Sequence, residues 1–517
     1  MFIKVYAGAI AGIDAVRVTV EVNMAEVGLG LWLVGLPDNT IKESQERIRS
    51  AFENSSLSMP NKKIVVNLAP ADLRKEGSGF DLPIAMGILA ASGQIQSVKL
   101  EESMILGELS LDGSISSIKG ALPMAAAAKD QGFKRIILPI ANSAEAAVVE
   151  GIEVLGVRNL REVVDWANDL CQIEPTKVVA LDKEEEYTLY SDDFSDVKGQ
   201  SQVKRAFEIA AAGGHNIIMI GAPGSGKTML SKRMPTILPP MSQQEALETT
   251  KIYSVAGKLG VESGLMTKRP FRAPHHITSQ VALIGGGNTP QPGEVSLANN
   301  GILFLDELPE FGRAVLEVLR QPLEEKSITI ARARYTVEYP ANFTLVASMN
   351  PCPCGYYNHP TKECTCSPGA VHRYLGRISG PLLDRIDLHI EVTPLSIQQI
   401  NEERVEESSA VIRERVIAAR AIQTKRFKGL DRLGVKSVTT NAMMTSRMLR
   451  DFCPLDEASK RILELAMERL QLSARAYDRI IKVARTIADL AGEERINSSH
   501  IAEAIGYRNL DRDSWGR

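Results

Sequence analysis

Two short stretches of this 517-residue chain carry residue types that do phosphate chemistry. Gly221, Ala222, Pro223, Gly224, Ser225, Gly226, Lys227 and Thr228 form a glycine-rich turn directly after the apolar run Ile217–Ile220. A buried strand, such a turn and then a helix form the setting in which backbone N–H groups wrap the phosphates of a nucleotide. There Lys227 reaches the β- and γ-phosphates of ATP, and Thr228 puts its hydroxyl on Mg²⁺. A second apolar run, Ile302–Leu305, is followed by Asp306 and Glu307. Four consecutive apolar residues fit a parallel strand covered on both faces. Ligands of open α/β sheets bind at the carboxyl ends of strands. That makes Asp306 a second Mg²⁺ contact and Glu307 the base that orients the attacking water. An acidic pair after a core strand is otherwise a surface feature; opposite a phosphate-binding loop it completes a nucleoside triphosphatase.

Further along, Phe343–Met349 is a third apolar run and ends at Asn350, a polar side chain at another strand end. From there it can sense the γ-phosphate and position water. Arg385, in Leu382-Leu-Asp-Arg-Ile-Asp387, and Arg475, in Ser473-Ala-Arg475, are further charge donors; Arg479 and Arg485 compete with Arg475 for its role. Between the second and third runs, Ser327–Glu338 alternates strand-like residues around Arg332 and Arg334 and predicts a β-hairpin with a basic tip. About seventy residues separate Thr228 from the second run at Ile302, more than one crossover helix needs, so roughly 241–279 is expected to project from the core. The adjacent His275 and His276 make a poor shared metal site and are expected to hydrogen-bond at the base of that insert.

The elements that position these groups are legible in outline. A chain of this length holds two to four domains, and a net charge of −3 confines any nucleic-acid surface to a local patch. Residues 1–171 alternate strand-like runs (Ala15–Val22, Lys63–Leu68, Arg135–Leu138) with alanine-rich helices such as Ala121–Lys129, predicting an α/β domain. Residues 172–193 are expected to form a solvated linker, and 194–392 the ATPase core with its parallel sheet. Residues 393–517 are expected to form a long helix over Ser396–Lys425, capped by Ser396 and Gln399, and a helical lid. Asp456–Arg469 and Ala476–Ala491 are its clearest amphipathic helices. Early charges at Lys4, Asp14, Arg17 and Glu21 break up any signal-peptide core. A cytoplasmic protein without a membrane span is expected. Of six cysteines, four cluster as Cys352-Pro-Cys354 and Cys364-Thr-Cys366, nine residues apart. Two thiol pairs joined by a loop suit tetrahedral Zn²⁺, although one-residue spacing within a pair is tighter than usual.

These parts resemble the AAA+ ATPases. The resemblance implies Asn350 as sensor 1, Arg385 as an arginine finger, Arg475 as the sensor 2 arginine in the lid, and a hexameric ring. The basic hairpin is similar to the one that lines the pore in the MCM and magnesium-chelatase branch, which implies DNA contacts through Arg332 and Arg334. Over its whole length the chain resembles the YifB/ComM family of magnesium-chelatase-like ATPases, which implies a DNA helicase acting in branch migration during recombination or natural transformation. Residues 75–86 and 107–118 resemble the proteolytic domain of Lon, a ribosomal S5 domain 2-like α/β fold. The protease serine and lysine positions are occupied here by Gly79 and Leu122, which cannot form that dyad, and Ser78 next door has no lysine at the matching place. The domain is then expected to help form a ring on DNA. Two other readings stay open: a metal-chelatase motor subunit, and a protein-remodelling ring using Tyr335 beside the hairpin arginines.

Overall fold

The computed structural model describes residues 1–71, 75, 77–177, 190–260, 264–287, 290–332, 335–359, 361–395, 406–430 and 438–508. The first long hairpin, Phe2–Ala11 with Asp14–Ala25, turns at Gly12, whose φ of +71° suits glycine. Period-two alternation sends Val18, Val20 and Val22 into the core while Arg17 and Asn23 face out. The hairpin sits in a seven-stranded sheet ordered Gly30–Val34, Lys63–Ala69, Asp14–Ala25, Phe2–Ala11, Ser103–Ile105, Arg135–Pro139 and Glu153–Val157. Helix Asp81–Ala91 is buried at every position. Gly87 permits its close approach, since a Cβ there would stand 2.6 Å from Val22 Cγ2.

A second sheet is wholly parallel, in the order Phe271–Arg272, Ile302–Leu305, Thr344–Met349, Ile217–Ile220, Leu388–Glu391. Its strands Ile217–Ile220 and Ile302–Leu305 read as unbroken apolar runs because both faces are covered. Ile217, Met219, Ile302 and Phe304 enter one hydrophobic cluster, whereas Ile218, Ile220, Leu303 and Leu305 enter another. The first cluster continues into Val416, Leu463, Ala484 and Ile501 of the C-terminal helices, so those helices cover one face of the sheet. The fold is thus a mixed α/β chain with a parallel sheet and a helical C-terminal part.

Three expectations need correction or limits. The long helix spans Ser409–Phe427 with Ser408 at its N-cap, and buries a narrow stripe of Ile412, Val416, Ala419, Gln423 and Phe427. The proposed cap at Ser396 and Gln399 lies outside the described residues, as do 178–189 of the linker. The insert does not project freely. Ser242 and Glu245 cap helix Gln243–Ala256, which docks on the N-terminal sheet's first turn through Lys251 Nζ to Asp14 Oδ1 at 2.8 Å and packs with Ile13. The lid helices run Glu457–Leu470, capped by Asp456, and Ala474–Leu490, capped by Ser473.

A buried polar knot pins the C-terminal helices to the parallel sheet. His215 Nε2 lies 2.8 Å from Thr486 Oγ1 on the lid, and its Nδ1 is 3.4 Å from Asp387 Oδ2. Asp387 also accepts from Arg479 of the lid and from the Asn216 N–H. Although burial opposes it, Arg479 and His215 hold the Asp387 carboxyl far below the usual carboxylate range. Burial pushes the His215 imidazole below its ordinary value; Asp387 pulls the other way, and Lys482 and Arg479 add to the fall. With a depressed folded pKa, the unfolded chain takes up the proton first. The contribution of His215 is therefore complete above about pH 6.5 and is lost as the pH falls below that. The thermal midpoint is expected to drop between about pH 7.5 and 5.5, with a smaller drop in His215→Asn. Equal slopes in parent and variant would remove His215 from the account.

Candidate active site

Helix Lys227–Ile237 starts immediately after the glycine-rich turn, with Gly224 and Gly226 at φ of +78° and +92°. Those left-handed positions aim the free N–H groups of the helix start into a cleft of about 490 Å³, an arrangement that favours phosphate. The cleft is walled by the turn itself and by Asp306, Glu307, Ser348 and Asn350. Lys227 Nζ donates to Gly221 O at 2.6 Å, Ala222 O at 3.0 Å and Asn350 Oδ1 at 3.3 Å. Burial lowers its pKa from the ordinary lysine value, and Asp306 and Glu307 oppose that fall. Thr228 Oγ1 donates to Asp306 Oδ2 at 2.9 Å, which brings the two expected Mg²⁺ contacts together. Ser348 and the Glu307 N–H hold the other Asp306 oxygen.

Glu307 adopts φ +53° and ψ +50°, a left-handed conformation that costs a non-glycine residue about 1–3 kcal/mol. Its half-exposed carboxylate faces His276, Nδ1 lying 3.5 Å from Oε2. Sequence reasoning missed this contact. Phe271–Arg272 pairs in parallel with Ile302–Leu305, so the residues after each strand open on the same sheet edge. Only the strand order could have revealed it. Ser348 was likewise unread, one position inside a strand taken as apolar.

Within one chain the two expected arginines lie away from this cleft. Arg385 is buried, pairs with Glu324 Oε1 at 2.7 Å and donates to Pro381 O at 2.6 Å. It lines a separate cleft of about 770 Å³. Arg475 is exposed in the first turn of helix Ala474–Leu490. Its rivals are engaged elsewhere, Arg479 with Asp387 and Arg485 with Asp489 and the Glu493 and Glu494 carbonyls. The basic hairpin pairs Ser327–Arg332 with Tyr335–Pro340. Arg334, and the side chains of Arg332 and Tyr335, lie outside the described residues.

Cys352, Cys354, Cys364 and Cys366 converge, with all four sulfurs within 4.8 Å of one another. Three of the separations are 3.3, 3.7 and 3.6 Å. Four thiolates about 2.3 Å from one Zn²⁺ stand about 3.8 Å apart, so the donor set fits that ion. Burial works against it, yet the Tyr356 N–H, the Cys352 thiol and the Thr365 N–H bring the Cys354 thiol down to about 6. Although backbone N–H groups pull Cys364 and Cys366 down, burial and the neighbouring thiols push both up.

Three family models match the chain. Residues 193–400 match magnesium chelatase, subunit ChlI; 20–142 match subunit ChlI of Mg-chelatase; and 406–508 match the ChlI C-terminal model. The competence protein ComM of Haemophilus influenzae is 44% identical over 516 residues, covering 98% of this chain and 97% of that protein. The chain belongs to the ComM/YifB family. The YifB protein of Escherichia coli, whose own function is not described, is also 44% identical, over 98% of this chain and 97% of its own. As a magnesium-chelatase-like member, the chain has an AAA+-type ATPase core. Archaeal Lon protease of Methanocaldococcus jannaschii is 30% identical over 115 residues, 22% of this chain and 17% of the protease. Of the residues expected at the dyad positions, Leu122 is buried, while Ser78 Oγ, beside Gly79, donates to the Glu108 carboxylate. Among the described residues no helix is long and apolar enough to cross a membrane.

Proposed function

We propose that this chain is an ATP-driven hexameric motor of the cytoplasm that translocates on and unwinds single-stranded or branched DNA in recombination or natural transformation. The observation that carries the motor is the pair of contacts that meet in one cleft, Lys227 with Asn350 and Thr228 with Asp306. The turn residues 221–228 receive the ATP phosphates, Lys227 exchanging its carbonyl partners for phosphate oxygens. Thr228 and Asp306 hold Mg²⁺, which when bound neutralises charge on the β- and γ-phosphates. Glu307 orients the attacking water from the cleft mouth, and Asn350 fixes its far side. Arg385 comes from a neighbouring subunit and Arg475 from the lid. The four cysteines hold a structural Zn²⁺ that braces the loop after Asn350.

DNA enters through the hairpin. Six copies of Arg332 and Arg334 would place about twelve arginines in one channel, a charge density that binds phosphate backbone with steep salt dependence. That the Haemophilus relative is a competence protein supports DNA as the substrate. A chelatase-type motor subunit is the second reading, favoured by the ChlI family matches. ATP-dependent strand displacement on forked and three-stranded DNA, comparing the parent with Lys227→Ala at matched DNA binding, separates the two. Unwinding is expected in the parent alone. The double variant Arg332→Ala with Arg334→Ala is expected to lose DNA stimulation of ATP hydrolysis while keeping the basal rate. Stimulation equal to the parent's would rule the hairpin out as the DNA contact.

A further inference from the structure

The cysteine knuckle touches the phosphate loop. It begins two residues after Asn350, whose Oδ1 accepts from Lys227, and the preceding residue's carbonyl, Met349 O, accepts from the Gly221 N–H at 3.2 Å. Within the knuckle the Gly355 N–H donates to Cys352 O at 3.0 Å, and the Tyr357 N–H lies 3.3 Å from the buried Cys352 sulfur. Gly355 has φ +85° and lies flat on Pro223 of the phosphate loop. A Cβ at 355 would stand 2.5 Å from Pro223 Cδ and 2.8 Å from its Cγ. Pro223 is itself exposed to the cleft, so Gly355 supplies the backing on its other side. The knuckle thus grips the nucleotide site at two places, through Asn350 at its root and through Gly355 at its tip.

We propose that metal occupancy of the four cysteines controls nucleotide affinity: with Zn²⁺ bound the knuckle holds Gly355 against Pro223 and keeps the phosphate loop in its binding shape, and loss of the metal releases it. This rests on the zinc reading of the cysteines given above. The physical reason is that a loop of this size, broken by Pro353, Gly355 and Pro360 and without helix or strand among its described residues between Pro351 and Ser367, has no core of its own to fix it. Four metal–sulfur bonds would supply that constraint, because a metal site that forms only in the ordered loop adds its binding free energy to the order of that loop. Coupling between two sites is reciprocal, so bound nucleotide must retain the metal as the metal retains nucleotide.

The test uses the full chain. Elemental analysis is expected to find about one zinc per chain, a tetrahedral four-thiolate site; absence of metal would remove the zinc reading and this inference with it. In Cys366→Ser, zinc is expected to be lost and affinity for a non-hydrolysable ATP analogue, measured by calorimetry, to weaken about tenfold, the size of an ordinary coupling. Zinc lost with affinity unchanged would overturn the control while leaving the parent's zinc in place. Gly355→Ala keeps all four thiols and is expected to keep the zinc while weakening the analogue to a similar extent. Its penalty should shrink in a Pro223→Ala background, where the atoms that the new methyl meets are gone; an equal penalty in both backgrounds would overturn the contact as the route. Finally, zinc release to a chromogenic chelator is expected to slow when the analogue is present. Release at the same rate with and without it would show that the two sites are not coupled.

Discussion

Glu307→Gln is expected to leave ATP affinity unchanged and to slow hydrolysis by about 10²–10⁴, the range for losing a positioned general base. The substitution keeps the shape of the side chain and removes its charge. It leaves Asp306 on its three partners, Thr228, Ser348 and the 307 N–H, so the Mg²⁺ contacts are undisturbed. It leaves Lys227 in reach of the phosphates. What goes is the charge and basicity of a carboxylate at the mouth of the cleft, on a residue in a strained left-handed turn whose own N–H bonds Asp306. Strain of that kind persists where the surrounding structure over-determines it, and such positions cluster at active sites. Lys227→Ala should behave differently, losing nucleotide binding along with turnover. Phosphate release together with titration of a fluorescent nucleotide separates the two variants. Parental turnover in Glu307→Gln would take the base away from Glu307.

The parts of this site that the sequence discloses are those written contiguously along the chain. Gly221–Thr228 follows its own strand, and Asp306, Glu307 and Asn350 each end an apolar run; local pattern is enough for them. The same runs disclosed the parallel sheet, because strands covered on both faces leave no alternation to misread. What stayed hidden depends on which strands are neighbours. His276 meets Glu307 only because Phe271–Arg272 lies beside Ile302–Leu305. Ser348 reaches Asp306 only because Thr344–Met349 lies on the other side of Ile302–Leu305. The helix Gln243–Ala256 has a sequence-visible capping box at Ser242 and Glu245, yet its docking on Asp14 and Ile13 joins residues more than two hundred positions apart. For the same reason Arg479 could not be told from Arg475 by spacing. One turn of helix separates them, and the buried Asp387 that takes up Arg479 comes from a distant segment.

Arg385→Ala is expected to lower turnover by about 10³–10⁵ without loss of ATP binding, the scale for an arginine finger supplied from a neighbouring subunit. In the single chain the residue stands ready for such a role rather than occupied by the local nucleotide site. Its Nη2 pairs with Glu324 and its Nη1 with Pro381 O, while its buried Nε–H has no partner among the described residues. Glu324 is about half exposed, so a phosphate oxygen arriving from a docked neighbour can replace it at modest cost, whereas the arginine is already desolvated. The decisive form of the experiment is a mixture. Arg385→Ala chains keep an intact phosphate loop, and Lys227→Ala chains keep an intact arginine. Each alone should be inactive. In a randomly mixed ring with head-to-tail interfaces, about one site in four has a working loop facing a working arginine, so an equal mixture should recover about a quarter of the parental rate. A mixture as inactive as its components would place Arg385 inside its own chain, where its bonds to Glu324 and Pro381 order the segment between Ser379 and Asp387.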